Sequence, residues 1–489
     1  MKFILALWAF CISSIRAQWF NGQQQIFPNI DLGQNIQNNN DKLYYDRNPG
    51  RAEPDAYDKY IEDILKQRNS ATSQGSLLLE NSDQSNTIDR IKGPYESNES
   101  SDAVRFIGVP KTDIEQLNNI TYAITTFGIN LMKSINQLQN GNIIVSPTSV
   151  ATVLALLQQG TVDEAQNEIT KALQMPASVT APTYQRLTYD MKKRNSRNIL
   201  TVSNNLYIGA GFEINPDFKA TAIKNFGSEV TPIDFSVPDA AVRQINKWIS
   251  IQTHNKISNL LSPDAVKFDT QLVIANAVYF KGLWETKFKQ ESTKPLLFHL
   301  SDGKTKTVPF MRMRHSFRYG IDEETDSLVV VLPFERIQYS LVMILPHKLS
   351  NVDIVLNSLT NMKLVNYQKL EEIEVQLAIP KFTIKSDTDL IPVLKNMGIS
   401  SIFSRNSDLT GIGNYRTYSP EISRAVHTGF LSVDEQGLSA AAVSGFTAVA
   451  LSYEEPSNVF QADRPFLAVL WDTQFAIPLF VARVDDPSI

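Results

Sequence analysis

Cysteine is nearly absent from this chain of 489 residues, which contains only Cys11. That residue ends a short apolar run, Phe3 to Cys11, which follows Lys2 and precedes small and polar residues up to Ala17. This order is typical of a secretory signal cleaved near Ala17; a signal anchor is the alternative, although the run is far shorter than a bilayer-spanning helix. We therefore expect a secreted, extracellular protein whose mature chain has no disulfide, no thiolate metal site and no catalytic thiol.

Motifs of catalysis and metal binding are missing as well. The sequence contains no HExxH, no P-loop and no GxGxxG after a predicted strand, and the segment that begins at Gly437 ends in alanine where a GxSxG elbow requires glycine. The five histidines, none in a metal-ligand spacing, are His254, His299, His315, His347 and His427. A triad assembled from distant residues would escape this search, but no residue set identifies one. We predict that the protein is not an enzyme and requires no metal ion and no cofactor.

The chain also lacks a strong excess of either charge and any long apolar segment. Its formal net charge is −5. After residue 17, no uninterrupted apolar run approaches the roughly 18 residues that a membrane helix needs. We expect neither a nucleic acid nor a membrane as a partner.

Residues 18–107 are poor in the apolar side chains that folding requires. Asparagine and glutamine occupy 12 of the 23 positions from 18 to 40, and acidic residues outnumber basic ones by 14 to 9 over the whole segment. Such a composition does not bury enough apolar surface to offset chain entropy. The predicted organisation is a signal peptide (1–17), a disordered polar extension (18–107) and one folded domain (108–489).

Helical and strand-like patterns begin near residue 112. Apolar residues from Ile114 to Leu138 recur at helical spacing, and a second, buried helix is predicted to begin at Pro147. Helices are also predicted at Asp239–Thr253 and Asp389–Met397. The predicted strands are Leu200–Ile208, Gln271–Phe280, Ser327–Leu332, Tyr339–Leu345, Glu374–Ile379, Val459–Trp471 and Ile477–Val484. These elements indicate an α+β domain with large sheets, and the last two runs, continuously apolar, should lie in the centre of a sheet.

Residues 434–452 form an unusual segment. An acidic pair and Gly437 are followed by sixteen uncharged and mostly small residues. An alanine run favours a helix, but Gly445 and the β-branched residues oppose one, and an uncharged stretch of this type readily becomes a strand. We expect a loop that is exposed in one state and buried as a strand in another.

The same segment resembles the reactive-centre hinge of serpins, in which Glu-x-Gly precedes small residues and an alanine run. Further serpin-like blocks follow one another in the family's order over residues 110–489. They are Asn142–Ser149 (N-x-x-x-S-P-x-S), Leu272–Trp284 (L-x-x-x-N-A-x-Y-F-x-G-x-W), Pro380–Phe382 (P-K-F), Asp408–Ile412 (similar to D-L-S-G-I), Val426–Thr428 before Val433–Glu435, Phe460–Leu467 (F-x-A-D-x-P-F-L) and Pro478–Val484. The order and number of these blocks make the resemblance highly specific.

The resemblance implies a serpin-like fold with several helices, three β-sheets and an exposed reactive-centre loop near the C-terminus. It also implies a mechanism. A serine protease attacks one bond of the loop and forms an acyl-enzyme, and the freed loop then inserts as a strand into a large sheet. The expected partner is a serine protease, in a covalent 1:1 complex with a monomeric chain. The alternative is a non-inhibitory serpin that acts as a carrier or binding protein.

The resemblance also assigns the loop hinge. Its residues are Glu435, Gly437, Leu438, Ser439, Ala440, Ala441 and Ala442. Insertion would bury alternate side chains, none of them charged, so no large desolvation penalty opposes it. These side chains are Leu438, Ala440, Ala442, Ser444 and Phe446. Leu438 stands where inhibitory serpins usually carry a small residue, and its bulk favours slower insertion.

The bait bond follows from the family's spacing. Fourteen residues after Gly437 lies Leu451–Ser452, with Ala450 and Tyr453 as the neighbouring alternatives. A leucine before the bond fits the apolar pocket of chymotrypsin- or elastase-like proteases, whereas trypsin-like proteases require Arg or Lys there. We therefore expect a chymotrypsin- or elastase-like target.

A polar cluster of serpins, the shutter, lies beneath the strands that must part. The resemblance places Ser146, Ser149, Asn276 and His427 in it, and it places Trp284 at the opening of the sheet, near Glu435. From the residues alone, the alternative interpretation of His427 is an ordinary buried histidine with satisfied hydrogen bonds. The alternative interpretation of Trp284 is an ordinary aromatic side chain of the hydrophobic core. Neither interpretation makes them catalytic.

Basic residues and glycosylation sequons support weaker predictions. A basic segment falls where some serpins bind heparin-like glycosaminoglycans, with a solvated helix face or loop as the alternative; its residues are Lys192, Lys193, Arg194 and Arg197. Sequons at Asn98 and Asn119 indicate a glycoprotein. The Asn/Gln-rich extension resembles those of extracellular insect serpins in the proteolytic cascades of innate immunity.

Overall fold

The computed structural model describes residues 111–194, 198–347, 351–404, 407, 409–414, 421–438 and 458–488. The predicted signal peptide, the extension with Asn98, the hinge residues 439–442 and the bait bond Leu451–Ser452 lie outside the described residues. Within them, no helix combines the length and apolarity needed to cross a membrane.

Nine α-helices lie in the described residues. They are α1 (Lys111–Leu138), α2 (Pro147–Gln158), α3 (Asp163–Leu173), α4 (Ala177–Lys192), α5 (Pro216–Phe226), α6 (Pro238–Gln252), α7 (Val352–Ser358), α8 (Asn361–Tyr367) and α9 (Leu390–Asn396). Helices α2, α5 and α6 begin with proline, whose missing N–H has no intrahelical partner at the first turn. Ser146, Asn215 and Asp389 cap α2, α5 and α9 by accepting hydrogen bonds from backbone N–H groups. The four predicted helices correspond to α1, α2, α6 and α9.

Helix α2 is enclosed by other elements. All twelve of its residues are buried, which is typical of a helix that packs on every side. Gly128 in α1 allows the close approach of the two helices, because a Cβ at Gly128 would lie 2.2 Å from the Cβ of Pro147.

The described strands form three sheets. They are β1 (Ile143–Val145), β2 (Ile199–Gly209), β3 (Glu213–Ile214), β4 (Glu229–Ile233), β5 (Leu272–Lys281), β6 (Lys294–His299), β7 (Thr305–Asp322), β8 (Ser327–Pro333), β9 (Tyr339–Pro346), β10 (Glu372–Pro380), β11 (Phe382–Asp389), β12 (Gly413–Asn414), β13 (Ile422–Asp434), β14 (Gly437–Leu438), β15 (Val459–Gln461), β16 (Phe466–Asp472) and β17 (Ile477–Val484). A nine-stranded sheet has the order β1-β17-β16-β9-β8-β7-β10-β15 with β6 beside β7, and β12 pairs with β3. The six-stranded sheet has the order β11-β13-β5-β2-β4 with β14 beside β13. The predicted α+β class with three sheets is confirmed.

The prediction of one central strand at Val459–Trp471 is wrong. The run forms two strands, β15 and β16, because the segment Ala462–Pro465 leaves the extended ladder at a proline, which has no N–H to donate. Strand β16 is central and fully buried, between β9 and β17. Strand β15 is an edge strand, and Val459 is 45% exposed.

The six-stranded sheet contains a parallel pair of strands at its centre. Strands β13 and β5 run parallel, whereas β2 and β11 pair antiparallel with β5 and β13. One face of the sheet packs on α6, through a buried cluster that includes Ile245 and Ile249 of the helix and Val273 and Ala275 of β5. The other face packs on α2. The parallel pair is therefore covered on both faces.

The packing of α1 on α2 gives a first prediction. Gly128→Ala should lower the free energy of unfolding by about 1–3 kcal/mol, because the added methyl group forces the two buried helices apart. Urea unfolding measures the change, with Asn130→Ala on the exposed face of α1 as the control. A Gly128→Ala chain as stable as the control would contradict this packing.

Candidate functional site

The seam between β5 and β13 organises the candidate site. The two strands pair from Leu272 and Ile422 to Tyr279 and Phe430. Beyond that point β13 continues to Asp434, and the chain turns back as β14. Strand β14 pairs antiparallel with β13 and forms an antiparallel bridge with Leu283, which follows β5. The segment that leads into the predicted loop thus begins between the two strands, at the end of the seam.

Gly437 is required at this turn for two reasons. Its φ of +139° lies in a region that L side chains rarely adopt. A Cβ at Gly437 would also lie 2.2 Å from the carbonyl oxygen of Gly282 and 2.8 Å from the Cα of Leu283. The sequence predicted backbone freedom here, and the structure adds a close approach that no other residue fits.

Glu435 is buried and fixed by two partners from other segments. Its carboxylate forms an ion pair of 2.8 Å with Lys381 Nζ, and Thr293 Oγ1 donates to it at 2.8 Å. Burial by itself raises the carboxyl pKa, but the hydrogen bonds from Lys381 and Thr293 hold the pKa of Glu435 below its usual value. Lys381 follows Pro380 in the P-K-F block, but its contact with Glu435 could not be predicted from the sequence.

Trp284, which the resemblance assigns to the opening of the sheet, lies beside Glu435. The indole Nε1 donates to the carbonyl oxygen of Asp434 at 2.9 Å, and the backbone N–H of Trp284 donates to that of Gln436 at 3.0 Å. The indole stacks on Phe334 with 4.5 Å between ring centroids. The side chain is therefore part of the hydrophobic core, and its indole N–H also donates the hydrogen bond that fixes the turn before β14.

The four predicted shutter residues lie together in the interior. His427 and Asn276 are register partners on β13 and β5, and the His427 Nδ1 contacts the Asn276 Oδ1. The backbone N–H of Ser146 donates to His427 Nε2 at 3.1 Å, so the ring proton is on Nδ1. Asn276 Nδ2 donates to Ser149 Oγ. All four residues are buried.

Asn204 is a fifth member that sequence reasoning missed. It is the register partner of Asn276 on β2, and its Oδ1 accepts hydrogen bonds from Asn276 Nδ2 and from Ser149 Oγ, the latter at 3.3 Å. Its signal in the sequence is a polar residue inside a strand whose neighbours are buried. A row of side-chain hydrogen bonds, His427–Asn276–Asn204, therefore crosses three adjacent strands. Opening the seam between β5 and β13 breaks the His427–Asn276 contact.

The predicted polysaccharide-binding segment loses one member. Arg194 has a side chain that is only 6% exposed, and its guanidinium pairs with the buried carboxylate of Asp472 and lies 4.4 Å from the centroid of the Phe475 ring. It is committed to the interior, so its prediction as a polysaccharide contact is wrong. Lys192 and Lys193 are exposed at the end of α4, and Arg197 lies outside the described residues.

The sequon at Asn119 lies on α1, and its asparagine is exposed. The side chain is therefore accessible enough to carry a glycan.

The buried histidine makes stability depend on pH. Burial lowers the pKa of His427 to about 3, from 6.5 for a solvated ring. Below pH 6.5 the unfolded chain binds a proton that the folded chain excludes, so stability falls as pH drops from 6.5 toward 3, by at most about 1.4 kcal/mol per pH unit. Urea unfolding at pH 7 and pH 5 should show this loss, and His427→Gln should show a smaller one. An equal loss in both proteins would contradict the assignment.

The Glu435 pair gives a second prediction for the site. Glu435→Gln should lower the free energy of unfolding by about 1–2 kcal/mol, because the partly exposed Lys381 loses its charge partner at a buried position. The exposed pair of Arg314 and Glu374 is the control, since Glu374→Gln should change stability little. Equal effects of the two substitutions in thermal unfolding would show that Glu435 is no more important than a surface charge.

Comparison with known proteins agrees with this architecture. The family model described as Serpin (serine protease inhibitor) matches residues 122–487. The leukocyte elastase inhibitor of Sus scrofa is 32% identical over 381 residues, which cover 76% of this chain and all of that protein. The crystal structure of serine protease inhibitor (serpin) 12 of Manduca sexta has 42% sequence identity and a TM-score of 0.70, and it covers 75% of this chain and 99% of its own.

A protein named for ligand binding is similar as well. Human thyroxine-binding globulin, solved with bound thyroxine, has 25% sequence identity and a TM-score of 0.70 over 76% of this chain and 99% of its own. The three-sheet fold, the Glu-x-Gly turn at the end of the seam and the extent of these matches lead to one conclusion: the chain belongs to the serpin family.

Proposed function

We propose that this serpin is secreted and traps a chymotrypsin- or elastase-like serine protease as a covalent 1:1 complex. The protease serine attacks the carbonyl carbon of Leu451, the bond to Ser452 breaks, and the new amine of Ser452 leaves while the Leu451 ester remains. The released loop then enters the seam between β5 and β13. Insertion carries the protease away before water completes hydrolysis.

The observation that carries this proposal is the register of β14. Leu438 pairs with Val433 of β13, and Gly437 bridges to Leu283 beyond β5. Strand β14 is thus already antiparallel to both strands of the seam. Further loop residues need only extend these two ladders, and each added residue gains backbone partners on both sides.

Both ladders extend to the same positions. If pairing continued along β13 and along β5, Ala442 would come between Gly429 and Val278, and Ser444 between the register partners His427 and Asn276. The site next to Gly429 is crowded, because a Cβ on Gly429 would lie 2.9 Å from the carbonyl oxygen of Ile144. A small uncharged residue such as Ala442 suits this place. A serine at 444 supplies a hydroxyl where the histidine–asparagine contact must break.

The rival function is that of a non-inhibitory serpin that carries a ligand. The similarity to thyroxine-binding globulin and the bulk of Leu438 favour it. The uncharged residues from Leu438 to Phe446 oppose it, because they remove the desolvation cost of insertion. The similarity to the leukocyte elastase inhibitor of Sus scrofa and the apolar Leu451 together support the proposed class of target.

Incubation with chymotrypsin and with pancreatic elastase tests the proposal. The expected result is an SDS-stable band at the summed mass of the two proteins, and a released C-terminal peptide that begins at Ser452. A peptide that begins at Leu451 or at Glu454 would move the bait bond to the position after Ala450 or Tyr453 but would keep the mechanism.

Cleavage at this bond without a stable band would contradict trapping. The melting temperature of the cleaved chain then separates two causes. A sharp rise shows that the loop inserts too slowly to trap the protease. An unchanged value shows that it does not insert, which favours the carrier function.

Ala442→Glu tests the register. The carboxylate would be buried beside Gly429 and Ile144, so insertion should stall and the chain should become a substrate that is cleaved without forming a stable complex. Ala442→Ser, small and uncharged, is the matched control and should retain trapping. The number of serpin molecules consumed per protease molecule inhibited measures the outcome. Equal values for the two variants would refute this register.

A further inference from the structure

Phe268 is the most exposed large apolar side chain among the described residues, with 78% of its surface accessible. It lies between α6 and β5, four residues before Leu272, at the far end of the seam where β5 and β13 begin. Isolated exposed apolar side chains are common on protein surfaces and by themselves need no partner. Two features distinguish Phe268, the fixed conformation of its segment and its place at the end of the seam.

A tight turn presents Phe268 to solvent. The backbone N–H of Thr270 donates to the carbonyl oxygen of Lys267 at 3.1 Å, so Phe268 and Asp269 occupy the two central positions of a β-turn. The Thr270 hydroxyl adds a second bond across the turn, because it accepts from the backbone N–H of Lys267 at 2.9 Å. The preceding residue, Val266, is buried. The turn is therefore fixed, although its central residues are exposed.

The flanking residues tie this turn to the start of β13. The backbone N–H of Gln271 donates to Ser423 Oγ at 3.0 Å, and Gln271 Oε1 accepts from the backbone N–H of Glu421 at 2.8 Å. On the other side of the turn, Arg424 Nε donates to the carbonyl oxygen of Ala265 at 2.8 Å. The turn precedes β5 and is bonded to β13, so it marks the place where the seam ends.

The register of β14 would bring the loop to the same place. Gly437 bridges to Leu283, and if pairing continued along β5, Ala448 would come opposite Leu272, the first residue of that strand. Three further residues lead to Leu451 and would carry the chain about 10 Å beyond the strand, since each extended residue spans roughly 3.3 Å. The predicted bait residue would therefore leave the seam beside the turn that carries Phe268.

We propose that Phe268 is a docking contact for the protease that stays attached to Leu451 after insertion. This inference rests on the proposed function. The protease surface that meets Phe268 is the one around the acylated serine, because the ester joins the two proteins there. An apolar side chain on a turn that is already fixed loses little conformational freedom when it is covered, so most of the gain from apolar burial is retained.

Such a contact would prolong the life of the trapped complex. The complex is lost when the protease active site recovers its working geometry and water attacks the Leu451 ester, which leaves a carboxylate on Leu451 and returns the proton to the departing serine oxygen. A contact made only in the held state favours that state over the recovered one. Removing the contact raises the population of the recovered state, and hydrolysis accelerates by the same factor.

Phe268→Ala tests the contact in complexes with whichever of chymotrypsin and pancreatic elastase the parent chain traps. The isolated complex of the variant should release active protease about fivefold faster than that of the parent chain, as expected from losing half the burial of a phenylalanine side chain. Phe268→Leu keeps an apolar side chain and should retain most of the lifetime. Ile223→Ala is the matched control, since Ile223 of α5 is 58% exposed, and it should behave as the parent chain.

Two further measurements separate this contact from effects on folding or insertion. Urea unfolding of the free chain, and the number of serpin molecules consumed per protease molecule, should be the same in the parent chain and in Phe268→Ala. A larger number consumed by Phe268→Ala would show that the side chain acts before insertion, which would overturn the proposed contact.

The release rates decide between the contact and its absence. Equal rates for the parent chain and Phe268→Ala, or an equal acceleration by Ile223→Ala, would overturn the contact and leave trapping intact. A parent chain that forms no stable complex would contradict both the proposed function and this contact.

Discussion

The contact between His427 and Asn276 controls whether the seam between β5 and β13 stays closed. It joins the two parallel strands of the seam, and Ser146, Ser149 and Asn204 complete its hydrogen bonds. Breaking part of such a buried row of hydrogen bonds destabilises the protein, because the polar groups left without a partner lie in an interior of low dielectric. The closed seam is therefore well defined, and it opens only if something replaces the contacts that break. In the proposed function that replacement is the loop.

The turn before β14 decides where a new strand begins. Gly437 brings the backbone against Gly282, Glu435 is held by Lys381 and Thr293, and Trp284 binds the carbonyl oxygen of Asp434. These contacts come from segments far apart in the chain, so the turn is held in place on several sides. The rigid turn fixes the register in which loop residues would meet β13 and β5. In the proposed function, the same register would bring the small, uncharged Ala442 beside Gly429, where a Cβ would lie 2.9 Å from the carbonyl oxygen of Ile144.

Much of this arrangement could be predicted from the sequence. The spacing of apolar residues predicted α1, α2 and β5, and the ordered family blocks predicted the three sheets. The same blocks singled out Gly437 and four buried residues that lie together in the structure. Contacts between unrelated segments could not be predicted in this way. Lys381, Thr293 and Asn204 join the site only through the tertiary fold, and Arg194, which reads as a surface cation, pairs with a carboxylate 278 residues away. The apolar pattern also led to a wrong prediction at Ala462–Pro465, where a proline divides one apolar run into two strands.

Loop insertion is best tested with a disulfide that reversibly locks the seam. Ala275 and Val426 are register partners on β5 and β13, and adjacent strands bring paired residues within the span of a disulfide. In the Ala275→Cys/Val426→Cys chain, the oxidised form should be cleaved by the target protease without a stable complex. Reduction should restore trapping, and each single variant should trap in both conditions. An oxidised chain that traps as well as the reduced one would show that trapping does not require the seam to open, which would contradict loop insertion between β5 and β13.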